Sequence, residues 1–174
     1  LDAGNVLVAD FEEHDLGSNP GLNHPALGTT PVSIDMWHHA AVTYDGNCWQ
    51  LYLDGLPETD GTNCPNEDPA FNAISGFNIG SAQDHEGWVK GHFSGLIDEV
   101  RLWNHALSSE DIMLHMGIQI ENDPELIGRW SLNDVGSLNA EDSTGNGNLG
   151  FVVGGEWETI DLLPLGGNIC LYEV

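Results

Sequence analysis

The segment Trp37–Gly55, WHHAAVTYDGNCWQLYLDG, fits a hairpin whose register can be read residue by residue. With Gly46 and Asn47 as a two-residue turn, Asp45 faces Cys48. Tyr44 then meets Trp49, Val42 meets Leu51 and Ala40 meets Leu53. These pairs make one face apolar throughout. The other face pairs Thr43 with Gln50 and Ala41 with Tyr52, which suits a surface that is at least partly wet. Side chains alternate along a strand, so a one-residue slip would carry the whole apolar set to the wrong face, and the pattern therefore fixes the pairing. Asp54 and Gly55 give a second tight-turn signal, which predicts three antiparallel strands in succession.

Phe93–Ile112, FSGLIDEVRLWNHALSSEDI, contains a conflict. By strand periodicity Leu96, Asp98, Val100 and Leu102 share one face, and Ile97, Glu99, Arg101 and Trp103 share the other. Asp98 is then set among aliphatic side chains. A buried carboxylate costs several kcal/mol unless a cation or several donors compensate it. The chain has only Lys90, Arg101 and Arg129 as permanent cations, and Arg101 is expected to point the other way. Two readings follow. Either an oxygen-seeking ion such as Ca²⁺ partners Asp98, or Asp98 accepts backbone N–H bonds at a sheet rim.

Composition narrows the class. A chain of 174 residues, 40% apolar with 22 glycines, makes one domain with a real core and hardly two. A net charge of −25 excludes a nucleic-acid-binding face and attraction to an anionic membrane, and it favours divalent cations. No apolar run approaches the roughly 20 residues of a membrane span. No signal peptide is seen, and a start at Leu1 without methionine suggests a processed or excised chain. Cys48 and Cys64 flank the Asp54-Gly55 turn and are expected to form a disulfide in an oxidising compartment. Cys170 is left over, either as a buried thiol or as a partner for another chain.

Further along, Val6–Phe11 reads as a buried strand, Gly17–Thr30 as a loop, Asp60–Ala70 as a polar loop and Phe77–Ile79 as a short strand. Ser108–Met116 is the one helix, capped by Ser108 with Asp111 three residues on, its inner face carrying Ile112, His115 and Met116. Leu126–Leu132 reads as a strand, Asp142–Gly150 as a Gly/Asn-rich loop and Ile169–Val174 as a final strand.

Taken together, WHHAAVTYDG, LYLDG, FSGLIDEVRLWNHALSSEDI, LIGRWSLNDVG and DSTGNGNLG resemble the laminin G-like, concanavalin A-like jelly-roll modules of bacterial secreted and surface proteins. LVADFEE and GLNHP add to the likeness. The resemblance implies an all-β fold, two curved antiparallel sheets in a jelly-roll sandwich with the one short helix near 108–116, spanning residues 1–174 as a single unit. It implies a secreted or cell-surface location and service in carbohydrate binding, adhesion or spacing. The motif order departs from the family. Residues 1–117 resemble the rear of a module and 126–174 the opening strands of one, so the chain reads as permuted or strand-exchanged, either trimmed or completed by a neighbouring copy through edge pairing. The resemblance also widens the metal expectation. In related jelly rolls a Ca²⁺ lies where the closing-strand aspartate meets the loop after the first strand, which corresponds here to Asp98 with Asp142, Ser143, Asn146 and Asn148. The alternative for Asp142–Asn148 is an ordinary turn.

Catalysis is not expected. Related sandwiches include laminarinase-type glycosidases, whose paired glutamates lie two positions either side of an aspartate on one strand. Phe11-Glu12-Glu13-His14-Asp15 puts adjacent carboxylates on opposite faces, and Glu121-Asn122-Asp123-Pro124-Glu125 contains a proline. No GxSxG setting occurs. His38 and His39 invite a metal or general-base reading, but neighbours on a strand point apart, and the two read as a core histidine and a surface one. The expected function is a non-catalytic, Ca²⁺-stabilised module binding a glycan or another surface protein, with Trp88, Trp157 and Tyr52 as stacking platforms for sugar rings. The alternative is a structural subunit that assembles with further copies of itself.

Overall fold

The computed structural model describes residues 4–14, 16–70, 77–83, 88–120 and 123–159. Antiparallel strands and one short helix make up its framework. Strands β1 (Val8–Ala9) and β2 (Ala26–Leu27) pair with Val8 opposite Leu27 and Ala9 opposite Ala26. Regular structure is thus shorter than the expected Val6–Phe11 strand, and its partner comes from inside the expected Gly17–Thr30 loop. Pairing nonetheless runs on in the same register to Glu12 opposite Asn23, with the His24 and Glu13 N–H groups donating to the Phe11 and Leu22 carbonyls. The Glu13 side chain, 1% exposed, accepts the Asn19 N–H at 2.5 Å and faces His24 Nε2 at 3.1 Å, so beyond the pairing the chain wraps around a buried carboxylate. Gly17 is required there, since a Cβ would lie 2.3 Å from Glu13 Oε1.

Strands β3 (Ala40–Tyr44), β4 (Trp49–Leu53) and β5 (Leu56–Asn63) form a meander. Its first hairpin has the register that alternation required, from Ala40 opposite Leu53 to Tyr44 opposite Trp49. Asp45 Oδ1 closes the turn by accepting the N–H groups of Asn47 and Cys48, each at 2.8 Å. Ala40, Leu51 and Leu53 are buried with Leu7, Ala9, Ala26 and Val32, and Val42 and Trp49 pack against them. The opposite face is less open than its polarity suggested. Tyr52 is only 5% exposed and its hydroxyl receives the Ser109 O–H from the helix. Strand β5 runs to Asn63, which takes in the start of the expected Asp60–Ala70 loop. Its pairing with β4 shifts between Gln50 and Tyr52, then resumes with Gln50 opposite Thr62 and Trp49 opposite Asn63. That register brings Cys48 across from Cys64, and the two are joined by a disulfide.

Strands β6 (Ala82–Gln83) and β7 (Val89–Lys90) pair next. Phe77–Ile79 is irregular rather than a strand. The chain turns at Gly80, at φ +76°, and Phe77 stacks on Trp130 at 5.7 Å between ring centroids. Strand β8 (Val100–Trp103) leads to helix α1 (Ser109–His115), whose Ser108 cap accepts the Asp111 N–H at 3.1 Å and whose Ile112 is buried. Strand β9 (Leu126–Trp130) returns antiparallel to β8, with Val100 opposite Trp130 and Arg101 opposite Arg129. Strands β10 (Asn139–Ala140) and β11 (Gly150–Phe151) complete the order. Val100, Trp130 and Ala140 form a second core, with Ile79, Ile97, Leu132 and Trp157 packed around it. The expected Ile169–Val174 strand and Cys170 lie outside the described residues.

Candidate functional site

Alternation through LIDEVRLW breaks at one residue. Glu99 has φ +54°, a left-handed conformation costly for a side chain with a Cβ. Strand β8 begins only after it, at Val100, so Asp98 does not share a continuous strand face with Leu102. The acid driven into the interior is Glu99, 8% exposed, and its countercharge is internal. Arg129, 2% exposed, donates from Nε to Glu99 Oε2 at 2.9 Å and from its terminal nitrogen to Glu99 Oε1. Arg101 adds a 3.2 Å contact to Oε2 and donates to the carbonyls of His115 at 2.8 Å and Ile118 at 2.7 Å. Two of the three permanent cations in the chain therefore converge on a single carboxylate. The pattern was visible in part, since an arginine inside each of two apolar strand segments signals a buried ion pair. What periodicity missed was the left-handed turn that puts Glu99 in reach.

Asp98 is half-buried, and its carboxyl is pushed above the ordinary range by burial and by the Glu99 charge, with the Glu99 N–H and the two arginines pulling it back. Asp142, Ser143, Asn146 and Asn148 do come together, as a turn clasped to β9. Asp142 Oδ1 accepts the N–H of Arg129 at 3.2 Å and both the N–H and hydroxyl of Thr144 at 3.0 and 2.7 Å, while Oδ2 accepts the Asn148 N–H at 3.0 Å. Burial alone would raise its pKa. The Thr144 hydroxyl and the three amides outweigh that and bring it to about 2. Ser143 Oγ donates to the Arg129 carbonyl at 3.1 Å and accepts from the Arg129 guanidinium at 3.0 Å. Asn146 donates its side-chain amide to the Leu126 and Ile127 carbonyls at 3.1 and 2.9 Å, and Asn148 donates to Ile127 at 2.8 Å.

These bonds decide which residues fit a cation. Three donors crowd Asp142 Oδ1 and one reaches Oδ2, so Oδ2 keeps a lone pair open, whereas Ser143 sits against a guanidinium that repels an ion. Asp98, Asp142 Oδ2 and the side-chain oxygens of Asn146 and Asn148 remain as hard oxygen donors. Val100 and Asp142 flank Trp130 from opposite sides. Among the described residues no cluster of three or more His, Cys, Asp or Glu is placed to hold a metal.

The Asp142 bonds give a pH prediction. Its folded pKa, about 2, lies below the ordinary 3.8, so the unfolded chain takes up the proton first. The stability it confers is complete above pH 4 and drains away as pH falls towards 2. Asp142→Asn is expected to flatten the acid limb of stability in that window, read as urea midpoints at each pH. An unchanged acid limb would show that the turn does not depend on the charge.

The expected sugar platforms separate. Trp88 is 66% exposed. Trp157 is half-buried and donates its indole N–H to the Ser137 carbonyl at 2.6 Å. Tyr52 is closed off beneath α1, so its ring offers no open face. His39 is buried, and burial with the Arg101 charge pushes its pKa down to about 4, whereas His38 is near the surface beside Asp54.

The fold and this site define an antiparallel β-sandwich whose buried charge is neutralised from within. The family model described as "Concanavalin A-like lectin/glucanases superfamily", of laminin G type, matches residues 13–113, and the chain belongs to that family. Over 88 residues, 48% of the chain, it is 30% identical to the mouse (Mus musculus) "Sushi, von Willebrand factor type A, EGF and pentraxin domain-containing protein 1", and spans 2% of that protein's length. A solved S-layer domain-containing protein (residues 221–444) from Clostridium thermocellum ATCC 27405 is 20% identical, with a TM-score of 0.39 over 66% of this chain and 64% of that one. Among the described residues no helix is long and apolar enough to cross a membrane.

Proposed function

We propose that this domain is an extracellular binding or adhesion module that engages a glycan or another surface protein. The observation that carries this reading is Trp88, 66% exposed beside exposed Val89 on the β6–β7 pair. An exposed aromatic face is the usual platform for a sugar ring or an apolar anchor. Family membership supports a binding role, and the Cys48–Cys64 disulfide fits an oxidising, secreted or cell-surface setting. The charge of −25 argues against nucleic acid and anionic lipid as partners.

Calcium belongs to this reading as a proposal centred on Asp98, whose desolvated carboxyl a divalent ion would relieve. One experiment addresses both parts: glycan-array binding by the native chain and by Trp88→Ala, each with Ca²⁺ and with chelator. The expected result is at least a tenfold loss of affinity in Trp88→Ala, about 1.4 kcal/mol, and a lower melting temperature under chelation. Binding that ignores Trp88 would reject the platform. Melting that ignores chelator would remove the ion.

A second reading, assembly with further copies of the chain, is favoured by β11 and its flanks, where Leu149, Phe151 and Val153 alternate along the sequence and are all exposed. Such an apolar edge is a template for strand addition. Light scattering that shows concentration-dependent polymers would move this reading ahead of glycan binding.

A further inference from the structure

Away from the Glu99 network, three side chains form one hydrogen-bonded row, two of them five residues apart and the third 16 residues further on. Ser33 Oγ lies 2.7 Å from His38 Nε2, and His38 Nδ1 lies 2.9 Å from Asp54 Oδ2. The Asp54 carboxylate is itself fixed, because its Oδ1 accepts the His39 N–H at 2.9 Å and its own N–H donates to the His39 carbonyl at 2.7 Å. Asp54 can be held this way because it takes φ +51° in the β4–β5 turn. An ionised carboxylate only accepts, so neutral His38 must carry its proton on Nδ1, which leaves Nε2 to accept from the Ser33 hydroxyl. That is the order and polarity of a serine–histidine–aspartate relay, in which the acid fixes the tautomer and the imidazole takes the serine proton.

We propose that Ser33 is a nucleophilic serine, activated by His38 and oriented by Asp54, which accepts an acyl group from activated esters of small apolar acids. The side chains of Ile34 and Met36, one and three residues on, are both exposed and give the chain around Ser33 apolar surface for such an acyl group. In the step, Ser33 Oγ bonds to the acyl carbon as its proton passes to His38 Nε2. The carbon–oxygen bond to the leaving alcohol breaks, and the imidazolium returns the proton to that oxygen. Water then adds to the acyl-serine with His38 as base, releasing the acid and restoring the hydroxyl. The activity goes beyond the binding role above and does not depend on it.

The same bonds also tie residues 33–38 to the β4–β5 turn, and a purely structural clip would leave Ser33 no more reactive than any surface serine. The native chain, Ser33→Ala, His38→Gln and the urea-unfolded native chain are treated with a fluorophosphonate and followed by intact mass and peptide mapping. One adduct on Ser33 is expected in the native chain, none at that peptide in Ser33→Ala, and labelling roughly 100-fold slower in His38→Gln, within the range of general-base assistance. Circular dichroism and melting confirm that the variants fold. Labelling of the folded chain no faster than of the unfolded one overturns the proposal. So does a Ser33 adduct whose rate is unchanged in a folded His38→Gln.

Discussion

Arg129→Met is expected to lower folding stability by about 3–5 kcal/mol, because it leaves the buried Glu99 carboxylate without its principal partner. For a chain of this size that corresponds to a fall of roughly 6–20 °C in melting temperature. The lower end is favoured by Arg101, which keeps its own 3.2 Å contact to Glu99 and stays anchored to the carbonyls of His115 and Ile118. The loss is not confined to one bond. The Arg129 guanidinium also reaches Ser143, so its removal loosens the turn at 142–148 from β9. Glu99→Gln alone leaves the guanidinium buried without its carboxylate and is also destabilising. The double variant Glu99→Gln/Arg129→Met removes both charges and is expected to recover most of the loss, with a coupling of at least about 2 kcal/mol in the double-mutant cycle. Urea midpoints of the four proteins measure it. Additive losses would mean that Arg129 acts through packing and through Ser143, not through charge.

This network also shows where the sequence could be read and where it could not. The β3–β4 hairpin was legible to the residue because period-two alternation and a Gly-Asn turn agreed, so local and long-range signals had one solution. Helix α1 was legible for the same reason, Ser108 capping a segment whose buried face includes Ile112. The expectation for Asp98 rested on extending one strand's periodicity through Glu99, and a single left-handed residue ended it. No composition or spacing rule marks a glutamate for φ +54°. It is stabilised there by an arginine from a strand that begins more than twenty positions later, and such contacts between distant segments are invisible to periodicity. The turn at 142–148 was visible as a cluster of oxygen-bearing residues, but their chemistry was ambiguous. Carboxylate and amide groups that can ligate an ion can equally bond backbone, and Asp142, Asn146 and Asn148 bond backbone here. Tyr52 was misread because a polar cross-strand neighbourhood does not reveal that a helix will lie over it. The row of Ser33, His38 and Asp54 was hidden because its members meet only when the chain before β3 folds against the β4–β5 turn.

Removing the disulfide is expected to have the second large effect. A cross-link that closes a loop of 16 residues between Cys48 and Cys64 contributes about 3 kcal/mol by restricting the unfolded chain. Cys48→Ala/Cys64→Ala is therefore expected to melt roughly 6–12 °C lower. The damage should also have a place. Pairing between β4 and β5 is continuous from Leu53 to Tyr52, is interrupted, and resumes at Gln50 and Trp49. An interruption of this kind weakens register, since either side of it can shift without disturbing the other. The far side is secured by the disulfide, by the Thr62 hydroxyl donating to Gln50 Oε1 at 2.7 Å, and by the Asn63 side chain donating to the Pro25 carbonyl at 2.7 Å. Without the covalent link, the end of β5 is held only by non-covalent bonds: those two side-chain contacts, the short resumed pairing and the Asn66 N–H donating to the Asn47 carbonyl. Hydrogen exchange should then quicken first at Thr62 and Asn63, while Val42 and Leu51 in the hairpin keep their protection. Uniform loss of protection across β3, β4 and β5 would show instead that the cross-link stabilises the meander as one cooperative unit.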